Sequence, residues 1–493
     1  MYSIRDKKYR NVCLEVRKVY FKINDEIIFR QYKEYGLITD NSMFGYKMLH
    51  RSSKFPGEKY VSESGAVMLG TLTKEPKNID VIIKELLNIF IGVDYEELKN
   101  DTIEFFMQFV YEGFLSVGET YEECNERMKN SDKKMDMPQE VIVDNCSKQI
   151  FHENDFLRSL HIEIANICNE RCIHCYIPHE LKTKTIDSSL FYRIIEEGRA
   201  LNIINVTLSG GEPLLHKDFI GFLRKIRELD LSVNVLSNLT LLNDEVLSEM
   251  IKNPLLCVQT SLYSMNPEVH DSVTKMKGSF EKTKAGILKL LELGIPVQIS
   301  CPIMKQNKDS FDKVVKWGND HGITVATEYV IFASYDHTNS NLVNRLSLNE
   351  VKEAFNSQLT KEYATYLYDT AKEKCTLTGE DSICSICRYY LCISAEGDVY
   401  PCVGWQNKKL GNLCDDSIQN IWQNSKEISC LREIKRKSFP KCVDCKDRGY
   451  CNVCMMSNSN ENLDGDPFKI NTFNCKVAAM KHNSVESIIK NLK

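Results

Sequence analysis

Between residues 156 and 335 the chain changes period six times: a short strand-like run is followed each time by a longer stretch with helical spacing. The strand-like runs are "LHIEIAN", "INVTLS", "SVNVLSN", "CVQTSLY", "PVQISCPI" and "TVATEYVI", and segments such as "HKDFIGFLRKIRELD" and "SFEKTKAGILKLLELG" separate them. A strand lies parallel to its predecessor only through a crossover, usually a helix. Six successive β/α units therefore predict an α/β domain over residues 155–370, with a parallel sheet and its helices outside. It is either an open doubly wound sheet or a partial, TIM-like (β/α)6 barrel. In both, ligands gather at the C-terminal ends of the strands. "CNERCIHCY" (168–176) directly follows the first strand and "SGGEP" (209–213) the second, so both motifs fall on that rim.

The remainder of the 493 residues leaves room for two further domains at about 150 residues each. Residues 1–125 open with alternating segments ("LEVRKVYFKI", "EIIFRQY") and continue with helical ones ("VIIKELLNIFI", "DTIEFFMQFVYEGFL"), which predicts a winged-helix-like α+β domain. A polar stretch at 126–154 reads as a linker. From 371 to 493 cysteines crowd and regular patterning fades. That predicts a small domain held by metal rather than by a large core, ending in a helix.

Charge and targeting bound the function. "MYSIRDKKYR" has charges where a signal peptide needs its apolar core, and no apolar run approaches the roughly 18 residues of a membrane span, so the chain reads as cytoplasmic with no membrane partner. Residues 1–125 carry 17 Lys and Arg against 20 Asp and Glu, so they lack the basic face that a nucleic-acid partner requires. Thiols stay reduced in the cytoplasm, and 20 cysteines there point to metal or cluster ligation rather than disulfides.

Cys168, Cys172 and Cys175, spaced x3 and x2, can wrap thiolates around one soft metal centre. A structural zinc site and a four-iron cluster each take four protein or other ligands. Three leave one position open, to a distant residue in a zinc knuckle or to something other than protein. Downstream, "CSICRYYLCISAEGDVYPC" (384–402), "CVDCKDRGYCNVC" (442–454) and Cys475 fit zinc ribbons and iron-sulfur sites equally by spacing.

CxxxCxHC after the first strand, with GGEP after the second, resembles the radical S-adenosylmethionine (SAM) enzymes. The resemblance implies a [4Fe-4S] cluster on Cys168, Cys172 and Cys175, whose open iron takes the amino and carboxylate groups of SAM. It implies that Gly210, Gly211 and Glu212 receive the SAM amino group, and that Ser237, Asn238 and Ser261 face its ribose and carboxylate. In the family-like segment "EVHDSVTKMKGSF", Thr274 stands where many relatives have an arginine, which leaves Lys275 and Lys277 as partners for the carboxylate. The C-terminal pattern, Cys384, then Gly397 x4 Cys402, then CxxCx5CxxC and a late cysteine, resembles the SPASM extension, which binds two auxiliary [4Fe-4S] clusters. Relatives more often have three residues where Asn452 and Val453 precede Cys454. Carried over, Cys442, Cys445, Cys451 and Cys475 hold an outer cluster and Cys384, Cys402 and Cys454 an inner one, with Cys387 and Cys392 competing for its last place. The other eight cysteines, Cys257 and Cys301 among them, read as buried thiols.

Within this family "YVSESGAVMLGTLTKEPKNIDVIIKELL" is similar to the small PqqD-like domains that recognise leaders of ribosomally made precursor peptides, which would add the leader as a strand to a sheet edge. The resemblance implies a peptide maturase of the sactipeptide/ranthipeptide type: SAM cleaved reductively to a 5'-deoxyadenosyl radical, a hydrogen taken from a peptide carbon, and thioether closure onto a cysteine sulfur. Electrons would come from a flavodoxin or ferredoxin. Carbon-carbon or carbon-oxygen crosslinking on the same scaffold is the alternative. A formylglycine-generating sulfatase maturase needs an aspartate where Val403 follows Cys402, and an iron-sulfur redox sensor with a DNA-binding winged helix needs a basic face. Glu328, Tyr329 and Asp336, near the sixth strand's end, are candidate catalytic residues by position.

Overall fold

The computed structural model describes residues 19–41, 57–126 and 156–492, and the chain divides into two compact units after Asn154. Apart from Glu126, the expected linker lies outside the described residues.

The first unit contains β1 (Tyr20–Ile23), β2 (Ile28–Gln31), β3 (Tyr35–Thr39), β4 (Glu58–Ser62), β5 (Lys77–Asn78) and β6 (Leu115–Gly118). They form two antiparallel sheets, ordered β2-β3-β4 and β5-β1-β6. Helices Ile79–Leu86 and Tyr95–Tyr111 pack by apolar stripes at helical spacing: Ile79, Ile82, Ile83 and Leu86 on one, Leu98, Phe106 and Phe109 on the other. Phe21 of β1 meets Phe106 edge-on, with ring centroids 5.2 Å apart.

In the second unit β7 (Ser159–Ala165), β8 (Asn205–Gly210), β9 (Ser232–Leu236), β10 (Leu256–Ser261), β11 (Val297–Pro302) and β12 (Thr324–Glu328) run parallel in chain order, each followed by helix. This is the TIM-like α/β arrangement expected of six β/α units. Leu160, Ile162 and Ile164 of β7, Val206 and Leu208 of β8, and Val233 and Val235 of β9 share one core with Phe191, Ile194, Phe222 and Leu223 from the helices. The alternate positions of the same strands carry His161, Glu163, Thr207, Ser209 and Asn234. Because side chains alternate along a strand, one period builds both an apolar outer face and a polar inner face.

The cysteine-rich part differs from expectation. β13 (Tyr390–Ile393) adds to β7 in parallel, and β14 (Asp398–Tyr400) and β15 (Gly411–Asn412) extend the same sheet antiparallel to nine strands. Leu391, Ile393, Val399, Trp405, Ile421, Trp422 and Ile428 belong to the barrel's own hydrophobic core. The region is therefore welded to the barrel by apolar packing and does not depend on metal alone. Its strands, two to four residues long, are too short to show a period in sequence.

Of the eight cysteines read as buried thiols, Cys124, Cys257 and Cys301 are buried, but Cys375, Cys414 and Cys430 are exposed; Cys13 and Cys146 lie outside the described residues. Cys430 illustrates why: helix Lys426–Arg432 buries Ile428 and Leu431, three apart, which turns the two residues between them, Ser429 and Cys430, outward.

Candidate active site

The two rim motifs are laced together through their backbones. β8 ends at Gly210 with φ +125°, where a Cβ would lie 2.0 Å from the Ala165 carbonyl oxygen. Gly211 N donates to Ala165 O (2.7 Å) and Glu212 N to Ile167 O (2.9 Å). A Cβ on Gly211 would stand 2.4 Å from Ile167 O and 2.6 Å from Asn166 O, so only glycine permits this approach.

Glu212 is fully buried and accepts three hydrogen bonds: Ser237 Oγ (2.8 Å) and Leu214 N (3.0 Å) on Oε1, and Asn238 N (2.7 Å) on Oε2. Burial pushes its carboxyl up to about 7, and these donors pull the other way by favouring the ionised form. The carboxylate thus clamps the end of β8 to the end of β9. Asn238 Nδ2 in turn donates to Asn169 Oδ1 (2.9 Å), between the first two cysteines, and Asn169 Nδ2 donates to Thr240 Oγ1 (2.7 Å).

The cysteine loop is held on both flanks. Arg171 N donates to Thr274 O (2.9 Å), Ile173 N to Val273 O (3.0 Å) and Tyr335 N to Tyr176 O (3.2 Å). Asn344 Nδ2 donates to Ile173 O (2.9 Å) and Asn341 Nδ2 to His174 O (3.2 Å). The half-buried thiols of Cys168, Cys172 and Cys175 interact electrostatically, and Cys172 Sγ donates to Glu170 Oε2 at 3.4 Å. Burial pushes the Cys168 thiol up to about 11, the Cys172 thiol well above its usual range and the Glu170 carboxyl up to about 7. Thiols desolvated in this way become thiolates only when a cation replaces the lost hydration. The loop also buries Glu170 Oε1 and His174 Nδ1 with no hydrogen-bond partner. Both observations fit a loop that holds an iron-sulfur cluster.

Nine further cysteines fall into separate neighbourhoods. Every pair among Cys442, Cys445, Cys451 and Cys475 interacts electrostatically. All four line one cavity of about 680 Å³. Cys384, Cys402 and Cys454 interact mutually, and buried Cys392 reaches Cys402 on one side and Cys387 on the other. The Tyr390 hydroxyl hydrogen-bonds Cys402. Among the described residues no three His, Cys, Asp or Glu side chains converge tightly enough for a single ion. Four thiols around one cavity suit a cluster, whose ligands bind separate irons.

The other residues picked out by sequence are more dispersed. Ser261 ends β10 and hydrogen-bonds Tyr263. Thr274 is buried against Ser279 Oγ (2.7 Å), and Lys275 and Lys277 are exposed. Glu328 ends β12 and is exposed, while Tyr329 lies in the apolar core edge-on to Phe355. Asp336 is exposed and accepts from Thr338 N (3.1 Å) in its own turn. These three do not meet at one point. Sequence reading missed Glu163, on the inner face of β7, which accepts from Tyr176 Oη (3.3 Å) and Gln406 Nε2 (2.7 Å) and so joins the loop after Cys175 to the loop after Cys402. Burial pushes its carboxyl up to about 7. Its signal was a carboxylate alternating with isoleucines in "LHIEIAN".

Residues 162–318 match the radical SAM superfamily, and residues 384–446 match SPASM, an iron-sulfur cluster-binding domain. The antilisterial bacteriocin subtilosin biosynthesis protein AlbA of Bacillus subtilis (strain 168) is 27% identical over 324 residues, 63% of this chain and 70% of that one. The mycofactocin maturase MftC of Mycolicibacterium smegmatis is 27% identical over 320 residues, 59% and 75% of the two chains. The crystal structure of Streptococcus suis SuiB bound to precursor peptide SuiA superposes with a TM-score of 0.58 at 15% identity, over 91% of this chain and 98% of that one, a likeness of fold. Each match falls on a cysteine region, one on the three-thiol loop and its rim and one on Cys384 to Cys445, and the chain carries a radical SAM domain and a SPASM domain, those of a SAM-dependent enzyme that binds SAM with one [4Fe-4S] cluster and auxiliary iron-sulfur clusters beyond it.

Proposed function

We propose that this enzyme matures a ribosomally made precursor peptide, closing thioether links between a cysteine sulfur and a carbon of another residue. The observation that carries the reading is the combination of a three-thiol loop on the strand rim with two further thiol groups packed into the same core, in a chain that also has a separate compact unit at its N-terminus. Relatives named for bacteriocin biosynthesis and mycofactocin maturation support a peptide substrate.

On this reading Cys168, Cys172 and Cys175 would hold the SAM-binding cluster. Gly210 and Gly211 present backbone to the SAM amino group, while Glu212, Ser237 and Asn238 fix the loops around it. Ser261 faces the ribose, and Lys275 or Lys277 meets the carboxylate. Cys442, Cys445, Cys451 and Cys475 would hold the outer auxiliary cluster; Cys384, Cys402, Cys454 and Cys392 the inner one. When bound, SAM and its cluster supply hydrogen-atom abstraction from a peptide carbon. The chain's own part is to orient that carbon on the polar inner face. Glu328 is the catalytic candidate best placed for this, at the C-terminal end of its strand. An acidic electron carrier completes the set of partners, and the cytoplasm, where thiols stay reduced, is its place. Among the described residues no helix is long and apolar enough to cross a membrane.

The first unit reads as a winged-helix-like leader binder. β4 is an edge of its sheet among the described residues. Val81, Ile89, Ile91 and Val93 are exposed, and Ile91 is 91% so. An edge strand and exposed apolar side chains suit a peptide added as a strand.

Two measurements test the reading. Anaerobically reconstituted protein is expected to contain iron and sulfide for three four-iron clusters. Zinc, with iron for only one cluster, would refute the auxiliary assignment. An enzyme lacking residues 1–154 is expected to keep its clusters and uncoupled SAM cleavage but to lose most processing of the full-length precursor, read as product mass. Adding the unit in trans should restore only part, because fusion raises the local concentration of peptide. Undiminished processing by the truncated enzyme would show that the unit does not read leaders.

A further inference from the structure

The two auxiliary thiol groups differ in how far they reach the surface. The inner group includes buried Cys392, close to the Glu163 carboxyl. The outer group reaches the surface at the exposed Cys475. Three of its four cysteines have a lysine as immediate neighbour: Lys441 precedes Cys442, Lys446 follows Cys445 and Lys476 follows Cys475. All three lysines are exposed, and among the described residues none is in an ion pair.

Four of the surrounding cations are otherwise engaged. Lys435 and Lys437 pair with Glu380 at 3.1 and 2.7 Å, Lys469 pairs with Asp464 at 3.5 Å, and Arg448 donates to Cys375 O at 2.8 Å. Asp447 hydrogen-bonds His482 at 2.7 Å, and Asp444 is the exposed acid of the run. From Lys435 to Arg448 six Lys and Arg face two Asp, in a chain whose net charge is -5. Two exposed apolar side chains, Leu377 and Phe468, line the same cavity as the four thiols. An apolar centre with a charged rim is the anatomy of a protein interface, and a rim with an excess of one sign suits short-lived redox encounters, which are small and steered by charge.

We propose that Lys441, Lys446 and Lys476 form the docking surface for a small acidic electron-carrier protein that reduces this enzyme through the outer four-thiol site. The inference rests on the reading that these thiols hold a cluster. One electron leaves the carrier's reduced flavin or iron-sulfur group, which is oxidised, and the cluster is reduced; no bond forms or breaks. The added negative charge arrives where exposed ammonium groups stabilise it.

The test uses the full-length, cluster-loaded enzyme, reduced flavodoxin as carrier and dithionite as a small chemical reductant. In the K446E/K476E variant, flavodoxin-driven 5'-deoxyadenosine formation is expected to fall about tenfold, because charge reversal removes steering. The dithionite-driven rate and the iron content should match the wild type. Wild-type flavodoxin-driven turnover should also fall as salt rises, since exposed charges are screened. A variant with full iron and an undiminished flavodoxin rate overturns the docking surface. If the variant loses iron, the wild-type salt titration decides, and a rate flat with salt overturns it equally. Wild-type protein with no cluster on the outer thiols would instead refute the reading beneath it.

Discussion

Changing Cys168, Cys172 and Cys175 together to Ala is expected to abolish 5'-deoxyadenosine formation while leaving about two-thirds of the iron in place, as three clusters of equal size require. The loss should be complete because the rim has no substitute. Among the neighbouring acids, Glu212 spends its carboxylate on Ser237, Asn238 and Leu214, and Glu170 lies between the cysteines it would have to replace. The retained iron follows from packing. The nine C-terminal cysteines stand on a sheet extension and helices whose core residues, Leu391, Trp405 and Ile421 among them, are apolar and need no metal in the first loop. Iron analysis with SAM-cleavage assays checks both halves. Residual cleavage would mean that the loop has been misread, and loss of all iron would mean that the clusters assemble in an obligatory order from the first.

Gly211→Ala is expected to lower SAM turnover about a hundredfold in a protein that still folds, the scale of an ångström's misplacement in an active site. The new Cβ would meet Ile167 O at 2.4 Å and Asn166 O at 2.6 Å, backbone atoms that cannot swing aside like a side-chain tip. Relief requires the GGE loop to part from residues 165–168. That breaks the bonds from Gly211 N and Glu212 N and shifts the start of the cysteine loop. Gly294→Ala is the control. Gly294 has a positive φ, +71°, which Gly211 does not, but nothing lies within 4 Å of its Cβ position. It should cost about 1 kcal/mol of stability and leave turnover unchanged. Equal loss of turnover in both variants would show that the effect is general destabilisation and not the close approach.

The candidate site was legible where chemistry is written in short spacing. The x3, x2 cysteine loop and the GGE turn are each local, and both sit at strand ends that the hydrophobic period reveals. Cys454 shows the limit of spacing. It lies three residues from Cys451, yet its thiol joins Cys384 and Cys402 while Cys451 joins Cys442, Cys445 and Cys475. Resemblance to SPASM proteins suggested that partition, which spacing alone does not. Cys375, Cys414 and Cys430 were misjudged because a cysteine's burial depends on which side of its element meets the core.

What the sequence determined by itself is the order of six β/α units and the rim motifs after the first two strands, because period and chain neighbourhood are local properties that survive in the unfolded chain. Only the tertiary structure decided that β13 joins β7, that Glu163 holds Gln406 across 243 positions of chain, and that Lys441 lines one cavity with Leu377 and Phe468. Such contacts leave no local pattern. They form because burying a common apolar core repays the entropy of closing long loops, and the polar pairs and charges are then fixed by where that core brings them.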